Sequence, residues 1–311
     1  MTTDVVLCEC FARDGLQHEP IQIQTDVKVS LIDSFTQLGF KRIEATSFTH
    51  PVNVPQFFDS NEVLQKIKRK SETNYKATCV NLTSVNRAIA AKENGYGPSE
   101  ISVILSASNA MLKKAFNRDS QDQLKVIKEM IAAADNRFHI IGTISFVFGS
   151  PFEGAIANQQ VIQLAKWLYA NGVTQIAIGD TMGFGTPRSI GQLFGELKNA
   201  LPQVDFIAHF HDTRGLGVAN CMAAYDVGVR YFDCAFGGVG GNPAKISYNG
   251  GFTGNVCTED LATMFEMMGI STGLDMSRLL DVALSCEQAL GRQLYGRVTR
   301  SGLGMLDLPR Q

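Results

Sequence analysis

Residues 158–212 read NQQVIQLAKWLYANGVTQIAIGDTMGFGTPRSIGQLFGELKNALPQVDFIAHFHD. Asn158–Ala170 repeats apolar side chains at i, i+3, i+4 spacing, the pattern of a helix with one buried face. Gly172 follows and supplies the left-handed residue that ends such a helix. Gln175–Gly179 is then apolar on both faces (IAI), as a parallel strand covered on each side must be. Beyond another helix-like stretch the chain returns to strand at Asp205–His211. The same alternation extends in both directions from this stretch. Further strand-like runs are Val5–Cys10, Arg42–Thr46, Tyr75–Val80, Glu100–Leu105, His139–Phe146 and Arg230–Ala235, which makes eight in all. Between them, Thr25–Leu38 places Val27, Leu31, Phe35 and Leu38 on one face and stops at Gly39, and Gln121–Ala134 is built alike.

Eight strand–helix units predict a closed (β/α)8 barrel (TIM barrel), with a doubly wound open sheet as the alternative. A nucleotide-binding doubly wound sheet opens its first helix with GxGxxG, whereas the first turn here reads ARDGLQHE (12–19). No Pro- or Ser-rich linker interrupts the alternation, so residues 1–311 read as a single catalytic domain. Asp275–Gly291 is one additional helix, and residues 275–311 form a C-terminal helical extension. Such an extension packs across one end of the barrel or against a second subunit, which suggests a homodimer or higher homo-oligomer.

Composition narrows the function. Apolar residues make up 45% and charged residues 19% of the 311, a balance suited to a globular core. With 28 Lys+Arg against 30 Asp+Glu there is no basic excess for a nucleic-acid backbone. No run approaches the ~18 apolar residues of a membrane helix. The start MTTDVVLCEC lacks the basic and apolar regions of a secretory signal. Seven cysteines without a CxxC pair read as reduced, mostly inert thiols in a cytoplasmic protein, with Cys257 alone near the glycine-rich loop described below.

Polar residues that a core does not explain sit where the strands end, the face on which barrels build active sites. They are Arg13 and Asp14 after the first strand, Glu44 in the second, Asp180 after the sixth, His209 and His211 in the seventh, and Gly237–Asn255 after the eighth. His209 and His211 are two apart in a strand, so both imidazoles face the same side. That spacing favours metal ligation over two unrelated core histidines. Oxygen ligands from Asp14 and Asn255 would complete a mixed N/O set, which suits Mg²⁺ or Mn²⁺ better than structural zinc. Gly15 lets the chain turn after Arg13 and Asp14, sending one toward a metal and the other toward substrate oxygen. Glu44, buried in RIEATSF, needs a partner, and Arg13 is the obvious one. The run GGVGGNP (237–243) is too glycine-dense for a simple turn; without a following Lys-Ser/Thr it reads as a mobile lid rather than a phosphate cradle.

With these residues the chain resembles 3-hydroxy-3-methylglutaryl-CoA lyase and its metal-dependent barrel relatives. The matching pieces are ARDGLQHE (12–19), RIEATSFTHPVNVPQ (42–56), GSPFEG (149–154), GDTMGFGTP (179–187), HFHD (209–212), GGVGGNP (237–243) and GNVCTEDL (254–261). They occur in the family's order and span nearly the whole chain. The resemblance implies a divalent-metal cofactor held by Asp14, His209, His211 and Asn255. It implies Arg13 at the substrate oxygen, Glu44 behind it, and Asp180 or His211 as base. It further implies that Gln17, Ser47, Gly240 and Gly241 line an acyl-CoA thioester substrate together with Arg13.

One position departs from the family. Its glycine loop carries a cysteine that exchanges a proton during catalysis, and here that position is Asn242. An amide does not titrate near neutral pH, so another group must act as the acid. The segment Ala244–Thr253, with Lys245 and Tyr248, makes the loop longer than the family's and is one source of such a group. Ser150 replaces a second cysteine of the family. The expected activity is cleavage of a 3-hydroxyacyl-CoA to acetyl-CoA and a keto acid or related carbonyl. The alternatives are an acetyl-CoA-dependent condensing enzyme of the isopropylmalate synthase type, or an impaired barrel that binds acyl-CoA without turnover.

Overall fold

A computed structural model describes residues 3–241 and 254–307, and within it eight parallel strands close into one barrel in sequence order. The chain runs β1 Val6–Glu9, α1 Thr25–Leu38, β2 Arg42–Ser47, α2 Ser60–Lys66, β3 Asn74–Cys79, α3 Leu82–Glu93 and β4 Glu100–Ser106. It continues through α4 Asn109–Phe116, α5 Ser120–Ala134, β5 His139–Ser145, α6 Asn158–Ala170, β6 Gln175–Asp180, α7 Pro187–Ala200 and β7 Asp205–Phe210. The last part is α8 Gly217–Asp226, β8 Tyr231–Cys234, α9 Thr258–Met267, α10 Leu279–Leu290 and α11 Val298–Ser301. The barrel expectation holds, and the open sheet is excluded because β1 pairs in parallel with β8, Cys8 opposite Asp233. Gly39 and Gly172 take the left-handed conformation expected of them, at φ 103° and 88°.

Alternation along each strand sorts side chains into two environments. Outward positions such as Leu7, Ile43, Tyr75, Ile101, Val103, Ile176, Ile178 and Phe206 join the continuous apolar core under the helices. At about 25 cal/mol per Å² this layer supplies most of the driving force for closure. The inward positions are different. A small apolar group, Ile141, Ala177 and Ile207 with Tyr231 packed on it, lies among them apart from the main core. Around it are charges: Arg42 pairs with Glu100 at 2.7 Å and donates to Gln175 at 2.6 Å, while Lys76 lies 3.8 Å from Glu44 and 3.6 Å from Asp233. Arg42→Met would leave Glu100 buried without its partner, at a cost of about 3–5 kcal/mol. Urea unfolding reads this directly, and a loss below about 1 kcal/mol would show that water enters and solvates Glu100.

One part of the sequence reading needs correction. Val27 is 38% exposed, so the buried stripe of α1 runs through Lys28, Leu31, Ile32, Phe35 and Leu38. The reason is electrostatic: the Lys28 ammonium is buried against Asp59 at 2.8 Å, and this pair turns the first helical turn away from Val27. Toward the C-terminus, Met276–Arg278 forms a 3₁₀ turn before α10, so the additional helix starts at Leu279. No described helix is long and apolar enough to cross a membrane.

Candidate metal centre

The chain leaves β1 through a π-helical turn, Phe11–Gly15, in which the Gly15 amide donates to the Cys10 carbonyl at 3.1 Å. This wide turn presents Arg13 and Asp14 at the mouth of the barrel. β7 ends at Phe210, one residue earlier than the sequence suggests. His211 instead forms an isolated antiparallel bridge with Asn255, which draws the segment after β8 back to the site.

Four side chains from the two ends of the chain meet there. Atoms of Asp14, His209 and His211 able to bind a metal lie within 4.8 Å of one another, and all three residues are buried. Asp14 Oδ2 is 3.5 Å from His211 Nε2 and 3.9 Å from His209 Nε2. It accepts from Asn255 Nδ2 at 2.6 Å. Asn255 Oδ1 is buried with no hydrogen-bond partner among the described residues, an expense that a cation bound at this position would relieve. Two imidazoles, one carboxylate and a free amide oxygen make a donor set that fits a divalent ion. His209 Nδ1 bonds Asp233 at 3.0 Å, the outer carboxylate that orients a ligating imidazole. Burial lowers the His209 pKa, but the Asp233 hydrogen bond and charge outweigh it and the net shift is upward. Burial raises Asp14, yet the Arg13 charge, the His211 hydrogen bond and the two imidazoles together outweigh it and hold its carboxyl well below the usual range.

Arg13 is clamped from two sides. Its guanidinium meets Asp14 Oδ1 at 2.7 Å and Glu44 Oε2 at 2.8 Å, so the expected partner of Glu44 is the right one. Glu44 Oε1 is in turn held by the Thr78 hydroxyl at 2.6 Å. Gln17 Oε1 accepts from Arg13 at 3.3 Å. Arg13 Nε is buried without a hydrogen-bond acceptor among the described residues. Gly240 lies against the cluster at φ 143°, and a Cβ there would come within 2.6 Å of Asn255 Nδ2. At Gly241 a Cβ would meet the His18 ring at 2.5 Å. Only glycine allows this backbone so close.

Two candidate residues have hydrogen-bond partners of their own. Asp180 accepts the Phe184 and Gly185 amides at 3.0 and 2.8 Å, and burial raises its pKa. Ser47 is spent on Thr49 and the Thr78 carbonyl. Asn242, Lys245 and Tyr248 lie outside the described residues.

Sequence reasoning missed the support beneath the glycine loop. Glu9 accepts from the Phe11 and Phe236 amides and from Thr258 Oγ1, at 2.9, 3.1 and 2.6 Å. Glu259 accepts the Gly237 amide at 3.0 Å and Thr299 at 2.9 Å, while the Tyr295 amide donates to the Gly237 carbonyl. The signal was present: Glu9, Lys76 and Asp233 are charges inside apolar strands, as Glu44 is. Burial pushes the Glu9 carboxyl up from 4.5 to about 8. A raised carboxyl favours the folded state at low pH, so this contribution is complete below about 4.5, declines as pH rises and is lost above about 8. Glu9→Gln should therefore gain stability relative to the parent between pH 5 and 8.5. Thermal melts at both pH values check it; a difference that does not change with pH would show that Glu9 is ionised throughout.

This arrangement has close counterparts. The HMGL-like family model matches residues 4–285. The hydroxymethylglutaryl-CoA lyase of Gallus gallus mitochondria is 35% identical over 96% of this chain and 97% of its own length. The Bacillus subtilis hydroxymethylglutaryl-CoA lyase YngG is 33% identical over 94% of this chain and 95% of its own. Among solved structures, an HMG-CoA lyase from Acinetobacter baumannii in complex with coenzyme A and 3-methylmalate superposes with a TM-score of 0.90 at 32% identity, covering 100% of both chains. Family match, full-length identity and barrel geometry agree, and the chain belongs to the HMGL-like family.

Proposed function

We propose that this protein is a divalent-metal-dependent carbon–carbon lyase that splits 3-hydroxy-3-methylglutaryl-CoA, or a close 3-hydroxyacyl-CoA, into acetyl-CoA and a keto acid. The observation that carries the reading is the clamped Arg13 beside the Asp14–His209–His211 cluster. Asp14, His209, His211 and Asn255 would hold Mg²⁺ or Mn²⁺, which polarises the substrate hydroxyl and a neighbouring carbonyl or carboxylate oxygen. Asp180, its pKa raised by burial, or His211 takes the hydroxyl proton. The electron pair of the O–H bond becomes the new C=O. The pair of the breaking C–C bond moves onto the thioester as an enolate. Arg13 donates to that enolate oxygen, held in place before the charge appears because Glu44 and Asp14 fix its guanidinium. A proton then returns to the enolate carbon from water or a histidine, since Asn242 has an amide where the resembling lyases have a thiol. Gln17, Ser47, Gly240 and Gly241 shape the acyl end of the site in this reading. Lyase names among the relatives favour cleavage over the condensing reaction.

All seven cysteines are buried free thiols, which supports a reducing compartment such as the cytoplasm. Exposed Met267, Met268, Leu284 and Tyr295 support self-association through the C-terminal segment. The deciding experiment incubates the protein with Mg²⁺ or Mn²⁺ and a panel of 3-hydroxyacyl-CoA thioesters, with products identified by mass spectrometry. Acetyl-CoA with a matching carbonyl product supports the proposal. No cleavage across the panel sinks it. Asn242→Cys in the same assay should raise the rate on 3-hydroxy-3-methylglutaryl-CoA if a loop thiol is what that substrate lacks.

A further inference from the structure

Beside the cluster that would hold the catalytic ion lies a second group of ligating atoms, whose two thiols take no part in the reaction described above. Cys8 and Cys10 are two apart at the end of β1, and their sulfurs approach to 3.8 Å. Asp233 is the strand partner of Cys8 across the β1–β8 seam. Ligating atoms of these three residues lie within 4.8 Å of one another, and all three residues are buried. Asp233 Oδ2 is engaged by His209 at 3.0 Å and lies 3.6 Å from Lys76, whereas Oδ1 is buried with no hydrogen-bond partner among the described residues. The orphaned carboxylate oxygen is costly in a core, and with two adjacent thiols beside it the group is well suited to one kind of guest.

We propose that Cys8, Cys10 and Asp233 form a second metal site selective for a thiophilic divalent ion of the Zn²⁺ or Cd²⁺ class, and that filling it weakens the hold of Asp233 on His209. Thiolate softness favours this ion over Mg²⁺, and charge balance permits it. Binding forms two metal–sulfur bonds and releases both thiol protons to solvent. The ion's two positive charges replace two protons, so the charge inside the barrel is unchanged. After binding, the ion and Lys76 together balance two thiolates and Asp233. A hard ion such as Mg²⁺ binds thiolate poorly and does not displace those protons. The consequence for the catalytic centre follows from the shared carboxylate. Asp233 orients the His209 imidazole, and losing an outer partner of this kind typically costs 10–100-fold in metal affinity or activity. That coupling rests on the lyase reading; the site itself does not.

The test uses the full-length protein in excess Mg²⁺ with Cd²⁺ as the probe, incubated overnight because the site is buried. The ultraviolet charge-transfer band of cadmium–thiolate reports only sulfur ligation, and the catalytic cluster contributes no sulfur. The expected result is a saturable band at one Cd²⁺ per chain, accompanied by proton release, that disappears in Cys8→Val and in Cys10→Val. Melting curves establish that each variant is folded, and Cys10→Ala serves if valine crowds the barrel. Absence of the band from the parent protein, or its persistence in the folded variants, overturns the site. In turnover assays at saturating Mg²⁺, Zn²⁺ should inhibit the parent at least tenfold more than Cys8→Val. Equal inhibition of the two overturns the coupling to His209. Failure of the lyase reading leaves the cadmium band unaffected, so the two outcomes are separable.

Discussion

Replacing His211 with alanine is expected to remove the bound divalent ion and the activity together. His211 Nε2 is 3.5 Å from Asp14 Oδ2, and its backbone bridges to Asn255, so it belongs to the cluster from both directions. Lewis-acid stabilisation is worth several kcal/mol, and at about 1.4 kcal/mol per decade its loss corresponds to roughly three orders of magnitude in rate. Metal content after gel filtration and turnover with added Mn²⁺ are the two measurements. A variant that retains one ion per chain would remove His211 from the ligand set, whatever its rate.

Arg13→Met should act on a different quantity. The guanidinium is held by Asp14 and Glu44 before substrate arrives, and its Nε–H has no hydrogen-bond acceptor among the described residues. A donor aimed at charge that exists only along the reaction path lowers kcat more than it raises KM when removed. About 3 kcal/mol, two orders of magnitude or more, is the scale for such a donor. The ion should stay bound, because Asp14, His209 and His211 are untouched. This separates Arg13→Met from His211→Ala in one metal analysis. A rate within threefold of the parent would take Arg13 out of the mechanism.

The barrel was legible because strand and helix differ in period, and short two-sided apolar runs between amphipathic stretches leave few alternatives. His209 and His211 were legible for the same reason, since i and i+2 share a face whatever the tertiary structure. The Glu44–Arg13 pair followed from the cost of a lone buried carboxylate. Contacts set by closure were harder. Nothing near Cys8 in sequence points to Asp233, and the two become neighbours only because β1 meets β8. Arg42, Glu100 and Gln175 lie on three different strands, so their common network depends on the inward register of each. Val27 shows the limit of periodicity: a buried lysine with a partner competes with a valine for the inner face of a helix, and the partner, Asp59, is far along the chain.

The pairing of β1 with β8 also bears on how the chain is made. Asp14 meets Asn255 across 241 positions. On a ribosome adding about 5–20 residues per second, the two are separated by roughly ten to fifty seconds of synthesis. Through that interval one edge of β1 has no partner, and an open strand edge invites pairing with a neighbouring nascent chain. β1 is only four residues long, Val6–Glu9, which keeps the exposed edge short while it waits. Substitutions that lengthen this strand or make it more apolar should therefore lower the yield of soluble protein from translation while leaving the melting temperature of the finished barrel almost unchanged.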